Sequence, residues 1–111
     1  MNKVYVVQGS TGEYSDRFDW IVKAFRTKEE ADKFQQDITD VVASTLKYLK
    51  EKEIDTYQFM DSEVYIENKT IQGMLLSFMT EITNLDPKFQ MDYTGTCYWV
   101  KEVELAGTSN T

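Results

Sequence analysis

The hydrophobic period of the chain changes along its length, and this limits the folds that are open to it. Residues 27–52 carry apolar side chains at spacings of three and four, which predicts one amphipathic helix of about 24 residues. Thr27, with Glu30 three residues later, has the spacing of a capping box at the start of this helix. The apolar stripe must cover another surface, and it consists of Ala31, Phe34, Ile38, Val41, Val42, Thr45 and Leu49.

Two segments before this helix predict a β-hairpin. Residues 3–8, KVYVVQ, are rich in β-branched and aromatic side chains and predict the first strand. Residues 17–25, RFDWIVKAF, follow a polar octapeptide and predict the second strand. One face of the second strand is expected to face the helices, with Trp20 in the core, and this face consists of Phe18, Trp20, Val22 and Ala24.

A third strand is predicted after the helices, over residues 96–105, TCYWVKEVEL. We expect its buried face to carry Trp99 beside Trp20, with Cys97 as a buried, inert thiol. The two faces are Cys97, Trp99, Val103 and Leu105 on the buried side, against Tyr98, Val100, Glu102 and Glu104.

A second helix is predicted from a Ser62 cap to Leu85, because the proline at position 87 disfavours helical backbone before it. Gly73 in its middle predicts a bend or a close packing contact. Residues 53–60, between the two helices, are expected to be irregular. The apolar positions of the second helix are Val64, Ile71, Leu75, Phe78, Ile82 and Leu85.

These elements together predict an α+β fold: a three-stranded antiparallel sheet with two helices packed on one face. The first strand is expected at the centre, because VYVV is apolar on both faces of a strand. Residues 1–105 are predicted to form a single domain, and residues 106–111 are predicted to form a flexible tail.

The charge of the chain favours some partners over others. Twelve Lys and Arg against nineteen Asp and Glu give a formal charge of −7, which repels nucleic-acid phosphates and attracts basic proteins. No apolar run reaches the roughly 20 residues that span a bilayer, and the start MNKVYVV lacks the pattern of a secretory signal. We therefore expect no nucleic-acid partner, no membrane partner and a cytoplasmic location.

The residue types that most enzymes need are scarce here. The sequence has no histidine, which removes the commonest general base and metal ligand. GSTG at residues 9–12 lacks the lysine and the following helix of a phosphate-binding loop. Glu13, Asp16 and Asp92 have no calcium-loop spacing. We expect no catalysis, no cofactor and no metal.

Several motifs resemble those of short, uncharacterised proteins encoded by bacteriophages and prophages. They are a first strand that runs into GSTGEYSD, the tryptophan at position 20, the helix start T-x-E-E-A and the segment LDPKFQMDYTGTCYWVKEVEL. The resemblance covers residues 3–35 and 85–105. It implies a phage or mobile-element origin, and such genomes encode small acidic proteins that block host machinery, anti-CRISPR proteins among them. It supplies no functional residues.

Two segments are candidates for a partner-binding surface, and the first is acidic. Residues 53–67 contain five carboxylates and no Lys or Arg: Glu53, Asp55, Asp61, Glu63 and Glu67. Tyr57, Phe59, Met60 and Tyr65 interleave with them. The segment either attaches the helix connection to the core and faces water, or binds a basic protein surface with the aromatic side chains as anchors.

The second candidate consists of two polar loops with similar residues, GSTGEYSD at 9–16 and DYTGT at 92–96. Their Gly, Ser, Thr and Asp residues suit turns that satisfy their own backbone hydrogen bonds. The alternative is a shared recognition surface formed by Tyr14, Asp16, Asp92 and Tyr93, because polar loops on a rigid scaffold often bind partners.

Two functions are consistent with the sequence. The first is a non-catalytic, acidic inhibitor that binds a basic surface of a host defence or nucleic-acid-handling protein. The second is a self-associating structural or accessory protein, a homodimer joined through a helix face or a sheet edge. The first loses affinity as salt rises, and the second requires an oligomer.

Overall fold

The computed structural model describes residues 2–61 and 66–105, and the predicted tail at 106–111 lies outside them. The predicted α+β class with a three-stranded antiparallel sheet is confirmed. The chain forms β1 (Lys3–Thr11), β2 (Phe18–Phe25), α1 (Lys28–Glu51), α2 (Thr56–Met60), α3 (Lys69–Leu85) and β3 (Thr96–Glu104), with a short 3-10 turn at Tyr14–Asp16.

The sheet has the order β2-β1-β3, which confirms the first strand at its centre. β1 extends to Thr11 rather than ending at Gln8, because its last residues pair with both neighbours: Thr11 lies opposite Phe18 on β2 and opposite Thr96 on β3. The first three residues of the octapeptide are therefore strand, and the loop between β1 and β2 is shorter than predicted.

α1 begins as predicted and covers the sheet. The Thr27 hydroxyl accepts a hydrogen bond from the backbone N–H of Glu30 at 3.2 Å. The helix contacts all three strands, and α3 packs against α1. The stripe predicted for α1 faces this interior, and its buried members are Ala31, Ile38, Val42, Thr45 and Leu49.

Trp20 lies in the core as predicted, but the predicted buried face of β3 is wrong. Tyr98 and Val100 face the helices, while Trp99 lies on the opposite face and donates from Nε1 to Gln8 Oε1 at 3.1 Å. Cys97 is exposed rather than buried. Aromatic side chains occur on both faces of this strand, so alternation alone did not identify the buried one.

A β-bulge also changes the face of β2 toward its end. The register shifts between Val7 and Gln8, which lie opposite Lys23 and Ile21, so one residue of β2 is unmatched. Phe25 thereby joins the core instead of Ala24, and its ring lies 5.3 Å from that of Phe34.

The connection between the helices is more ordered than predicted. α1 ends in a Schellman motif, in which Ile54 N donates to Leu49 O at 2.9 Å and Glu53 N donates to Lys50 O at 3.2 Å. Glu53 takes the left-handed position, with φ 55°, where glycine is usual. The stretch expected to be irregular then forms α2.

α3 begins later than predicted. Its cap is Asn68, whose side chain accepts from Thr70 N and Ile71 N, and the predicted cap Ser62 lies outside the described residues. Gly73 has no close packing contact, because a Cβ built there meets no atom within 4 Å. The helix ends at Leu85, as the following proline predicts.

Candidate functional site

Hydrogen bonds join the two polar loops at one end of the sheet. Thr11 Oγ1 donates to Gly95 O at 2.6 Å and accepts from Asp92 N at 2.9 Å. Gly12 N donates to Thr94 Oγ1 at 3.2 Å. Gly12 and Gly95 have φ of 90° and 88°, a backbone that favours glycine. Many polar groups of the two loops therefore form hydrogen bonds within the loops themselves and stabilise the turns.

Asp92 takes part in this turn structure. Its Oδ1 accepts from Thr94 N at 2.7 Å and also from the Thr94 hydroxyl. The Thr94 hydroxyl is the largest cause that holds the pKa of Asp92 below its ordinary value. Desolvation, the next largest, opposes it, and the Thr94 backbone and the Thr11 hydroxyl lower the pKa further. The carboxylate predicted as a partner contact thus already has partners within the chain.

The two tyrosines of these loops project into solvent. Tyr14 is 94% exposed and Tyr93 is 71% exposed, and Asp16 is exposed as well. Tyr14 has φ 52°, a left-handed backbone that is costly for a bulky side chain. An exposed aromatic residue with a strained backbone contributes nothing to the core, so it points to recognition.

The acidic segment between α1 and α3 contains both structural and exposed residues. Asp55 Oδ1 accepts from Gln58 N at 2.8 Å, and Asp55 N donates to Gln58 Oε1 at 3.0 Å, so this pair forms the capping box of α2. Tyr57 is 64% exposed and Asp61 is exposed. Glu63, also predicted as a contact, lies outside the described residues.

Phe59, predicted as a partner-binding anchor, is a core residue. It is 6% exposed and belongs to the hydrophobic cluster that contains Leu75 of α3. The turn of α2 directs Phe59 inward and Tyr57 outward, because residues two apart on a helix point in different directions. Phe59 fixes α2 to the core, as the structural interpretation of the segment expected.

The two candidate segments meet in space. Tyr93 and Asp55 line one shallow depression of about 360 Å³ at the C-terminal end of α1. We call Tyr14, Asp16, Glu53, Asp55, Tyr57 and Tyr93 the tyrosine surface. Hydrogen bonds tie the loop that precedes Tyr14 to the turn of Tyr93, and the depression connects that turn to α2. The remaining lining residues are Leu46, Leu49, Lys50, Ile54 and Thr56.

One cation, Lys50, lines the depression of this surface, but it belongs to none of the ion pairs of the described residues. The ion pairs of the described residues use other carboxylates, and all are exposed: Lys3 with Glu102, Arg17 with Asp19, Lys28 with Asp32 and Lys33 with Asp37. Asp16 and Glu53 form no ion pair with a described residue. They are therefore available to a cationic partner.

A buried carboxylate, Asp86, was not predicted from the sequence. It is 0% exposed and accepts hydrogen bonds from Trp20 Nε1 at 2.9 Å and from the Tyr98 hydroxyl at 2.8 Å. Burial, and then the hydrogen bond to Asp86, raise the pKa of Tyr98 well above its ordinary value. These three side chains are buried and hydrogen-bond to one another, which indicates a structural role.

The described part of the chain holds no group of three or more Cys, Asp or Glu that could bind a metal ion. A cavity of about 240 Å³ between α2 and α3 has mostly apolar walls, and its lining of described residues includes one ionisable side chain, Asp61. None of the helices in residues 2–61 and 66–105 combines the length and the apolar composition that a bilayer span requires.

Comparisons of the chain with protein-family models, curated proteins and solved structures find no match.

Proposed function

We propose that this chain is a non-catalytic, acidic protein-binding module that uses the tyrosine surface to bind a basic surface of a host protein. The observation that carries the proposal is the meeting of the two candidate segments, which brings Tyr93 and Asp55 to one depression. Tyrosine is enriched at protein interfaces because its ring supplies contact area and its hydroxyl tolerates water.

Backbone conformation supports the same surface. Among the described residues, Tyr14 and Glu53 are the non-glycine residues with positive φ, and one lies in each of the two candidate segments. A glycine at either position would relieve the strain, so the chain retains a costly tyrosine and a costly carboxylate where both are exposed. Strain of this kind is typical of sites kept for binding.

Electrostatics then suggests the class of partner. A chain of charge −7 with free carboxylates at Asp16 and Glu53 gains encounter rate and specificity from a Lys- and Arg-rich surface. Proteins that handle nucleic acids present such surfaces. Together with the resemblance to phage and prophage proteins, this makes an anti-CRISPR-like inhibitor of a host defence or nucleic-acid-handling protein the finer proposal.

The test is affinity capture from a bacterial lysate with matched charge-reversal variants. Asp16→Lys with Glu53→Lys changes the tyrosine surface, while Asp40→Lys with Glu81→Lys changes exposed helix positions by the same total charge. We expect the wild-type chain and the control to retain the same basic protein, and the surface variant to lose it. The purified complex should weaken steeply between 50 and 300 mM salt, by roughly tenfold or more.

Two further variants separate contact from charge. Tyr57→Ala removes an exposed ring without affecting the capping box, and Asp55→Asn keeps the acceptor that caps α2 while it removes the charge. Equal loss of binding in the surface variant and the charge-matched control, or a complex insensitive to salt, would overturn the proposal. Inhibition is tested separately, by competition between the chain and nucleic acid for the captured protein.

A further inference from the structure

β3 presents a straight edge of the sheet with no described strand beside it. It pairs with β1 through nine consecutive residues without a register shift, from Lys3 opposite Glu104 to Thr11 opposite Thr96. The other edge strand, β2, is broken by a bulge at Val22, which has no partner on β1 between the paired residues Ile21 and Lys23. Bulges protect sheet edges against pairing, so β3 is the edge that can accept another strand.

The backbone groups that point away from the sheet can be assigned. Leu105 N donates to Asn2 O at 2.8 Å, so the odd-numbered residues of this strand direct their backbone toward β1. The even-numbered residues then point outward, from Thr96 through Tyr98, Val100 and Glu102 to Glu104. Gln35 Nε2 of α1 donates to Tyr98 O at 2.9 Å, as expected for an outward carbonyl.

We propose that two copies of this chain pair β3 with β3, antiparallel, about a two-fold axis at Val100. In this register Trp99 of each copy lies opposite Lys101 of the other, and Tyr98 lies opposite Glu102. All nine residues of both strands are paired. The axis is perpendicular to the sheet, so both α1 helices stay on one face and the two sheets become continuous.

Strand length and charge together select this register over its neighbours. An axis moved to Trp99 would leave residues 103 and 104 of each copy without a partner in β3. Moving the axis to Lys101 would place the two lysines opposite each other, and moving it to Glu102 would do the same with two glutamates. With the axis at Val100, Lys101 of each copy instead contacts the ring of Trp99 of the other copy. Within one chain, the Arg17 guanidinium already lies 5.3 Å from the centroid of this ring. The contact occurs twice because the interface is symmetric.

Two features of the chain oppose this pairing, and each predicts a measurable effect on the dimer. Each copy carries a net charge of −7, so the two copies repel each other. Rising salt screens this repulsion and strengthens the dimer, whereas it weakens binding to a basic protein. Gln35 occupies the Tyr98 carbonyl and must release it, but its amide has a second partner, Thr39 Oγ1, at 3.3 Å. Gln35→Ala therefore frees the edge and favours the dimer.

Sedimentation equilibrium across protein concentration, at 50 and 500 mM NaCl, measures the association. We expect a dimer that tightens with salt and with Gln35→Ala. Lys101→Glu should weaken it by roughly tenfold. Lys47→Glu, an exposed α1 position with the same charge change, should have little effect. The double variant Asp16→Lys with Glu53→Lys changes the tyrosine surface and should not remove the dimer. The dimer proposal and the proposed function can therefore fail separately.

Amide hydrogen exchange tests the register. The N–H groups of Tyr98, Val100 and Glu102 should become protected as concentration rises, while those of Trp99 and Lys101 should be protected throughout by β1. A monomer at all concentrations would overturn the proposal. So would a dimer whose outward β3 amides still exchange fast, or protection that appears only when a different protein is added.

Discussion

Trp20 Nε1 donates to both carboxylate oxygens of Asp86, at 3.1 Å to Oδ1 and 2.9 Å to Oδ2. The Tyr98 hydroxyl donates to Oδ2 at 2.8 Å, and Lys88 N donates to Oδ1 at 3.1 Å. One buried carboxylate therefore links β2, β3 and the segment that follows α3. No described Lys or Arg side chain forms an ion pair with it, so hydrogen-bond donors alone compensate its burial.

Removing one of these donors should cost stability. Tyr98→Phe leaves the buried Asp86 with one fewer hydrogen bond, and a bond to a charged group contributes about 1.5–3 kcal/mol. We expect a loss of that size in the free energy of unfolding, measured by urea denaturation. The matched control is Tyr57→Phe, an exposed hydroxyl, which should change stability by less than about 0.5 kcal/mol. Equal effects of the two variants would contradict the structural role of Asp86.

Alkaline pH should destabilise the wild-type chain through Tyr98. The pKa of its hydroxyl is raised in the folded state, so above about pH 10 the unfolded chain loses a proton that the folded chain retains. The contribution is complete below pH 10 and is lost as pH rises, by up to about 1.4 kcal/mol per pH unit. Denaturation at several pH values should show this extra slope in the wild type and its absence in Tyr98→Phe. Parallel slopes would refute it.

Two glycine-to-alanine substitutions should change stability in opposite directions. A Cβ at Gly9 would lie 2.6 Å from the Trp20 ring, so Gly9→Ala must displace that ring and its bond to Asp86. We expect a loss of about 1–3 kcal/mol. Gly73 is exposed within α3 with nothing nearby, so Gly73→Ala should add about 0.5–1 kcal/mol. Melting temperatures measure both, and destabilisation by Gly73→Ala would show that the site is packed.

Local signals in the sequence predicted the elements of this fold well. α1 was predicted from its stripe and its Thr27 cap, both of which depend on neighbours a few residues away. α2 also had a local signal, the Asp55-x-x-Gln58 capping box, although the helix is only five residues long. The start of α3 was ambiguous, because Ser62 and Asn68 are both good caps and only packing chooses between them.

Long-range contacts determine the features that could not be predicted from the sequence. Tyr98 faces the core because Asp86 satisfies its hydroxyl, and nothing near either residue in the sequence indicates that pair. The similar composition of the loops at 9–16 and 92–96 did suggest that they meet. Their proximity to α2 was not predictable, because it depends on how far α1 extends past the end of the sheet.

Replacing Glu53 should separate stability from binding. Glu53 ends α1 with φ 55°, where a side chain costs roughly 1 kcal/mol relative to glycine. We expect Glu53→Gly to raise the free energy of unfolding by about that amount while it weakens the complex with the basic partner. Thermal denaturation and binding of the captured protein measure the two effects. Tighter or unchanged binding by the stabilised variant would remove Glu53 from the tyrosine surface.

The loss of stability as pH falls should depend on Thr94. Its hydroxyl is the largest cause of the lowered pKa of Asp92, so Thr94→Val should raise that pKa toward its ordinary value. A carboxyl whose pKa is lower in the folded state stabilises the chain above its unfolded pKa, and this stabilisation is lost as pH falls through the folded value. Wild type and Thr94→Val should therefore differ at neutral pH and converge in acid.

NMR titration of the Asp92 side-chain carboxyl carbon measures this pKa directly. Thr94→Ser keeps the hydroxyl that bonds Asp92 Oδ1 and accepts from Gly12 N, so it should retain the low value. An Asp92 pKa that stays low in Thr94→Val would assign the effect to the Thr94 backbone and the Thr11 hydroxyl instead. The turn would then keep the low pKa of Asp92 without the Thr94 hydroxyl, and the neutral-pH loss of stability would reflect only the missing bond to Gly12.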